Sequence, residues 1–182
     1  MFDARTHTLI ADGLDLVALT MDRKAEAARW RCGTEQEVAQ RIAVVVEALT
    51  WLGTPYHDRG TLKGVGVDCA MLPALVYPAA GVIPPPTIPK YDRTWFLHRN
   101  EALYRDIVLQ HAKPIDQDRA KPADLVLWPL GRQLAHGAII VDPGWPEVVH
   151  ALFEAGRVQR DRVDQLGDNR TGARFFSHWP PP

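Results

Sequence analysis

Apolar residues at Val38, Ile42, Val45, Leu49 and Leu52 recur in steps of four and three, the stripe of a helix with one buried face. Thr34 and Glu37 stand at the spacing of a capping box just before that stripe, and Gly53 follows it as a stop. The pattern then breaks into a loop through Pro55, Gly60, Gly64 and Gly66. A second helix is expected from an Asp68 N-cap to about Ala80, closed by Gly81. Pro73 falls at its fifth position, where the ring opposes the carbonyl of Cys69, so a kink or a later start is expected. The prolines of 84–89 require extended chain, and a third, roughly periodic helix is expected from about Thr94 to His111.

The pattern changes after Pro122. Asp124–Trp128, Ala135–Val141 and Glu147–Phe153 are short apolar runs separated by Pro129 with Gly131 and by Asp142–Pro146. A fourth strand is expected at Arg157–Arg160, and the aromatic end of the chain (Phe175, Phe176, Trp179) is expected to pack on the body. Helices first and hairpin-linked strands afterwards predict an α+β domain over 34–182. Residues 1–33, with a short apolar run at 14–19 and a charged stretch at 22–31, form an N-terminal extension.

Composition narrows the function classes. The chain has 182 residues, 46% hydrophobic and 24% charged, with a net charge of −1. That length suits one domain, and the charge gives no reason to expect nucleic acid or an anionic membrane as partner. No run reaches the roughly 18 apolar residues of a spanning helix. The start of the chain lacks a basic segment followed by a long apolar one, so no signal peptide is expected. The two cysteines, Cys32 and Cys69, do not make a disulfide scaffold, and Cys32 reads as structural.

Cys69 carries the candidate chemistry. It follows Gly66-Val67-Asp68 at a helix start, where unpaired N–H groups and a partial positive charge favour a thiolate. A cysteine nucleophile needs a base, and the base needs a group that holds it. His136 and His150 lie on the second and third predicted strands. If those strands pair antiparallel, the two rings either face each other directly, sit diagonally on one face, or fall on opposite faces. The first two registers permit His136 as base and His150 as its orienter. His57 is a loop residue, and His7, His98, His111 and His178 have no partner spacing. Zinc held by Cys69, His136 and His150 is conceivable, but no paired ligand spacing supports it.

Several segments, taken in order, resemble the NlpC-type cell-wall cysteine peptidases. They are Trp51-Leu52-Gly53-Thr54-Pro55-Tyr56, Gly66-Val67-Asp68-Cys69, Pro122–Trp128, Ala135–Val141 and Val149-His150-Ala151. The resemblance covers about residues 35–160 and implies a papain-like α+β core, helices packed on an antiparallel sheet. It implies a Cys69-His136-His150 triad, Tyr56 beside the nucleophile as a substrate-binding group, Asp68 likewise, and no cofactor. It implies cleavage of peptidoglycan stem peptides. Ala70 stands where many members have serine. The segment Tyr91–His98 is similar to members carried in the tails of phages and gene transfer agents. That implies tail-tip or baseplate partners, neither membrane nor nucleic acid, and residence in a phage-like particle assembled in a bacterial cytoplasm. Two other readings are a tail or baseplate component that keeps the fold without activity, and an amidase or acyltransferase of the same fold class.

Overall fold

The computed structural model describes residues 33–91, 103–130, 133–142, 147–163 and 172–179. The N-terminal extension, Cys32, the start of the third predicted helix and most of the Tyr91–His98 segment lie outside the described residues. The elements are α1 (Glu35–Leu49), β1 (Thr61–Leu62), β2 (Gly66–Val67), α2 (Met71–Ala79) and α3 (Leu103–Val108). They are followed by β3 (Lys113–Ile115), β4 (Leu125–Leu130), β5 (Gln133–Ile140), β6 (Glu147–Leu152), β7 (Arg157–Arg162) and β8 (Arg174–Ser177). The domain is α+β, as expected. Strands β3-β8-β4-β5-β6-β7 form one six-stranded antiparallel sheet, and β1 and β2 form a small separate hairpin.

The predicted strands appear with shifted ends. Both β3 and β8 escape the sequence pattern because they are short: Lys113–Ile115 contains Pro114 and sits at the sheet edge, where a missing N–H is tolerated. The aromatic tail does more than pack on the body. Phe175 and Phe176 belong to β8, which inserts between β3 and β4.

Alternation along β4 divides the apolar side chains between two faces. Leu125 and Leu127 join the main core with α1, α2 and α3, whereas Val126 and Trp128 join Ala138, Ile140, Val148 and Phe175 on the other face. All three helices touch β5, the strand that carries His136.

Helix α1 differs from its predicted face. Thr34 caps it, with Oγ1 accepting from the N–H of Glu37 at 3.1 Å. Glu37 Oε2 accepts from Gly33 at 2.9 Å, one residue earlier than a reciprocal capping box requires. The buried residues are Arg41, Val44, Val45 and Ala48, so Val38, Ile42 and Leu49 are only partly covered. A buried cation is the reason. Arg41 is 2% exposed and donates to Glu37 Oε1, Asp124 Oδ1 and the Pro122 carbonyl, each at 2.8 Å, and to Ser177 Oγ at 3.3 Å. Its guanidinium lies 4.0 Å from the centre of the Trp179 ring. One side chain therefore fastens α1 to the turn before β4 and to the end of β8.

Removing one partner of a buried ion pair strands the other charge. Arg41→Met is expected to destabilise the domain by about 3–5 kcal/mol, and Arg41→Met/Asp124→Asn to recover part of that loss. Urea denaturation checks it; a loss below about 1 kcal/mol for the single variant would show that the network is dispensable.

Candidate active site

The site is assembled where the start of α2 meets β5. The approach is tight: a Cβ on Gly66 would lie 2.6 Å from the His57 Cβ, so only glycine lets the chain pass. Asp68 then caps α2. Its Oδ1 accepts from the N–H groups of Ala70 (3.0 Å) and Met71 (2.8 Å), and its carbonyl accepts from Leu72 at 3.0 Å. Its Oδ2 accepts from the Arg59 N–H and the Tyr91 hydroxyl, both at 2.7 Å. Asp68 is 3% exposed. Both carboxylate oxygens thus serve internal donors, which makes Asp68 a brace for the turn that presents Cys69.

Pro73 sits inside α2, which runs unbroken from Met71 to Ala79. Lacking an N–H, it cannot donate to the Cys69 carbonyl four residues back. The Tyr104 hydroxyl donates there instead, at 2.9 Å. Gly137 makes room for it, since a Cβ at that position would lie 2.0 Å from the Tyr104 oxygen. The half-buried Tyr56 lies alongside β2, its ring edge-on to Phe153 at 5.5 Å between centres. Burial raises the hydroxyl pKa of Tyr91, and neighbouring Asp68, Cys69 and Tyr56 add to the rise. Three tyrosines, 56, 91 and 104, therefore surround the Asp68-Cys69 turn.

The thiol lies against the strand on both sides of His136. Its S–H is directed at the Ala135 carbonyl, 3.7 Å away, and the N–H groups of Gly137 and of Cys69 itself point at the sulfur. Burial pushes the thiol up to about 12, and the Asp68 charge adds to the rise. Desolvation and the adjacent carboxylate thus oppose the N-terminal field, which on its own would favour a thiolate.

The two histidines come together as the diagonal register requires. Strand β5 pairs with β6 through Ile139 opposite Val149 and Ile140 opposite Val148. Continued, that register sets His150 opposite Ala138, diagonal to His136 on one face. His136 Nε2 and His150 Nδ1 are 2.8 Å apart, with ring centres 5.0 Å apart. His136 also lies over Trp128, its cross-strand partner, at 5.8 Å between ring centres. His150 is fully buried, and its Nε2 contacts Asp161 Oδ2 at 2.8 Å. Gln159, directly opposite His150 on β7, donates through Nε2 to the same Asp161 oxygen.

Sequence reasoning missed Asp161, Tyr91 and Tyr104. A strand ended at Arg160 stops one residue short of Asp161. Extending it would have set Asp161 diagonal to His150, on the face the histidines share. The two tyrosines come from segments with no fixed spacing to Cys69, and the glycine after His136 was the trace of the close approach by Tyr104. Among the described residues, His57 is exposed in its loop, and no group of three or more acidic, cysteine or histidine side chains is arranged to hold a metal. His111 and His178 do meet, His178 Nδ1 lying 3.0 Å from the His111 carbonyl.

No protein-family model matches the chain, and no curated protein sequence matches it. Solved structures do. The NlpC/p60 domain of the peptidoglycan hydrolase SagA aligns with a TM-score of 0.53 at 22% identity, over 75% of this chain and 96% of that one. A Staphylococcus aureus protein of the NLP/P60 family, described as similar to a lipoprotein, gives 0.55 at 22% identity over 79% of this chain and 43% of its own. A Bacillus cereus NlpC/p60 family protein gives 0.51 at 19% identity over 73% and 39%. The chain spans nearly all of the first and less than half of the other two. The likeness establishes the fold, a papain-like NlpC/p60 core.

The Tyr104–Pro73 compensation has a direct check. Tyr104→Phe leaves the partly buried Cys69 carbonyl without the Tyr104 donor and is expected to cost about 1–3 kcal/mol. Pro73→Ala in that background restores a donor four residues on and is expected to recover about 1 kcal/mol in urea denaturation. A double variant no more stable than Tyr104→Phe would contradict the compensation.

Proposed function

We propose that this NlpC/p60 fold is a cysteine endopeptidase that hydrolyses peptidoglycan stem peptides. The observation that carries the reading is the coupled pair His136–His150, 2.8 Å between ring nitrogens, with His136 on the strand whose Ala135 carbonyl and Gly137 N–H meet the Cys69 sulfur. The peptidoglycan hydrolase activity named for SagA supports the substrate class.

In this reading His136 Nδ1, the ring nitrogen not turned to His150, takes the thiol proton as the sulfur attacks the substrate carbonyl. Burial and the Asp68 charge favour the protonated thiol, so in this reading proton removal by His136 accompanies attack. The S–C bond forms, and the carbonyl electrons move to oxygen. That oxyanion lies near the Cys69 N–H at the start of α2, with Tyr56 on its other side. The His136 imidazolium gives its proton to the leaving amine as the C–N bond breaks. Water then attacks the thioester, His136 takes its proton, the S–C bond breaks, and the proton returns to sulfur. No step requires a metal or an organic cofactor. Ala70 puts a methyl where a hydroxyl would otherwise flank the nucleophile, which trims polar contacts to the substrate.

The finer placement is in the tail tip or baseplate of a phage-like particle, opening the wall locally during DNA delivery. The similarity of the Tyr91–His98 segment to tail-carried members supports it. Recovery in purified particles is expected; a protein found only free in the cytosol would refute that placement.

Muropeptide analysis of purified wall tests the activity. New stem-peptide fragments are expected with the wild type, and none with Cys69→Ala or His136→Ala. Identical product profiles for wild type and Cys69→Ala would overturn the peptidase and favour a component that keeps only the fold.

A further inference from the structure

We infer that Asp161 is a positioning residue that fixes the direction of the proton order through both histidines, extending the proposed triad to a four-membered chain. The inference rests on the cysteine-peptidase reading for its catalytic consequence, but its geometry stands on the contacts alone.

The protons can be assigned one contact at a time. An ionised carboxylate only accepts, so the hydrogen in the 2.8 Å contact between Asp161 Oδ2 and His150 Nε2 belongs to the histidine. A neutral imidazole carries one N–H, which leaves a lone pair on His150 Nδ1. The hydrogen in the 2.8 Å contact between His150 Nδ1 and His136 Nε2 therefore belongs to His136. His136 then bears its lone pair on Nδ1, the nitrogen the mechanism needs as base.

Remove the carboxylate and the acceptor that holds the proton on His150 Nε2 is lost. His150 can then hold its proton on Nδ1, which reverses the bond between the rings and shifts the His136 proton to Nδ1. His136 in that form cannot accept from Cys69. The carboxylate also faces a developing imidazolium one ring away, and Gln159 keeps its Oδ2 aimed at His150 by donating to the same oxygen. The sheet supplies the alignment: His150 stands opposite Gln159, and Val148 opposite Asp161, so the carboxylate is diagonal to His150 on the shared face.

Nitrogen-15 ring spectra of the full-length protein, at a pH where both histidines are neutral, test the order without any substrate. The wild type is expected to show His150 and His136 both as Nε2–H tautomers. Asp161→Asn, whose amide can present a donor to His150, is expected to populate the Nδ1–H form of His150. Its kcat is expected to fall about 10- to 100-fold with KM changed less than about threefold, the usual cost of losing a group that orients a functional histidine. Asp161→Glu is expected to restore part of kcat. A wild-type His150 found as Nδ1–H overturns the inference, and that measurement needs no variant to fold. An unchanged tautomer or kcat in Asp161→Asn overturns it too. A wild type that shows the expected tautomers yet leaves wall peptides intact would instead refute the peptidase reading and leave the proton order standing.

Discussion

Ile139 lies opposite Val149 and Ile140 opposite Val148, and the candidate site depends on that register. Side chains alternate between the faces of a strand, so a slip of one residue between β5 and β6 would send His136 and His150 to opposite sides. The neighbouring register, with His150 opposite Gln159, keeps Asp161 on the same face in the same way. Register is held by burial. Val148, Ala138 and Ile140 fill one face while Val149, Ala151 and Ile139 fill the other, so a slip would exchange two sets of packed side chains. The hydrophobic content of three strands thereby fixes the polar line that runs through them.

The Cys69 end of the candidate site is ordered by polar groups working against their own solvation. Asp68 gathers side-chain hydrogen bonds from Arg59, Tyr91, Ala70 and Met71, which locks the turn but keeps a negative charge beside the sulfur. Pro73 stiffens the first turn of α2 and deprives the Cys69 carbonyl of a donor, a loss the Tyr104 hydroxyl offsets. The outcome is a thiol held in place, with burial and the Asp68 charge both favouring its protonated form. In the proposed mechanism such a group needs a base with the right lone pair, so the placing of Cys69 and the proton order of the histidines would act together.

Much of this was legible in the residues. Thr34, Asp68 and Gly81 marked helix ends, three apolar runs marked β4, β5 and β6 with a fourth strand expected after Gly156, and period-two alternation reduced the His136–His150 question to parity. The misses have physical causes. Arg41 is a charge in the core, so a hydrophobic stripe that counts it as polar turns α1 to the wrong face. Strands β3 and β8 are three and four residues long, too short for a period to show. Asp161 meets His150, one strand further from Cys69, and Tyr91 and Tyr104 reach Asp68 and the Cys69 carbonyl through folds of the chain that spacing does not encode.

The central claim is that Cys69 becomes a nucleophile toward a stem peptide only through His136. A stem-peptide analogue carrying a vinyl sulfone at the scissile bond, followed by peptide mapping, tests it most directly. The account predicts one modified residue, Cys69, in the wild type, and loss of that label in His136→Ala. A wild type unlabelled at Cys69, or a Cys69 labelled as fast in His136→Ala as in the wild type, would contradict it.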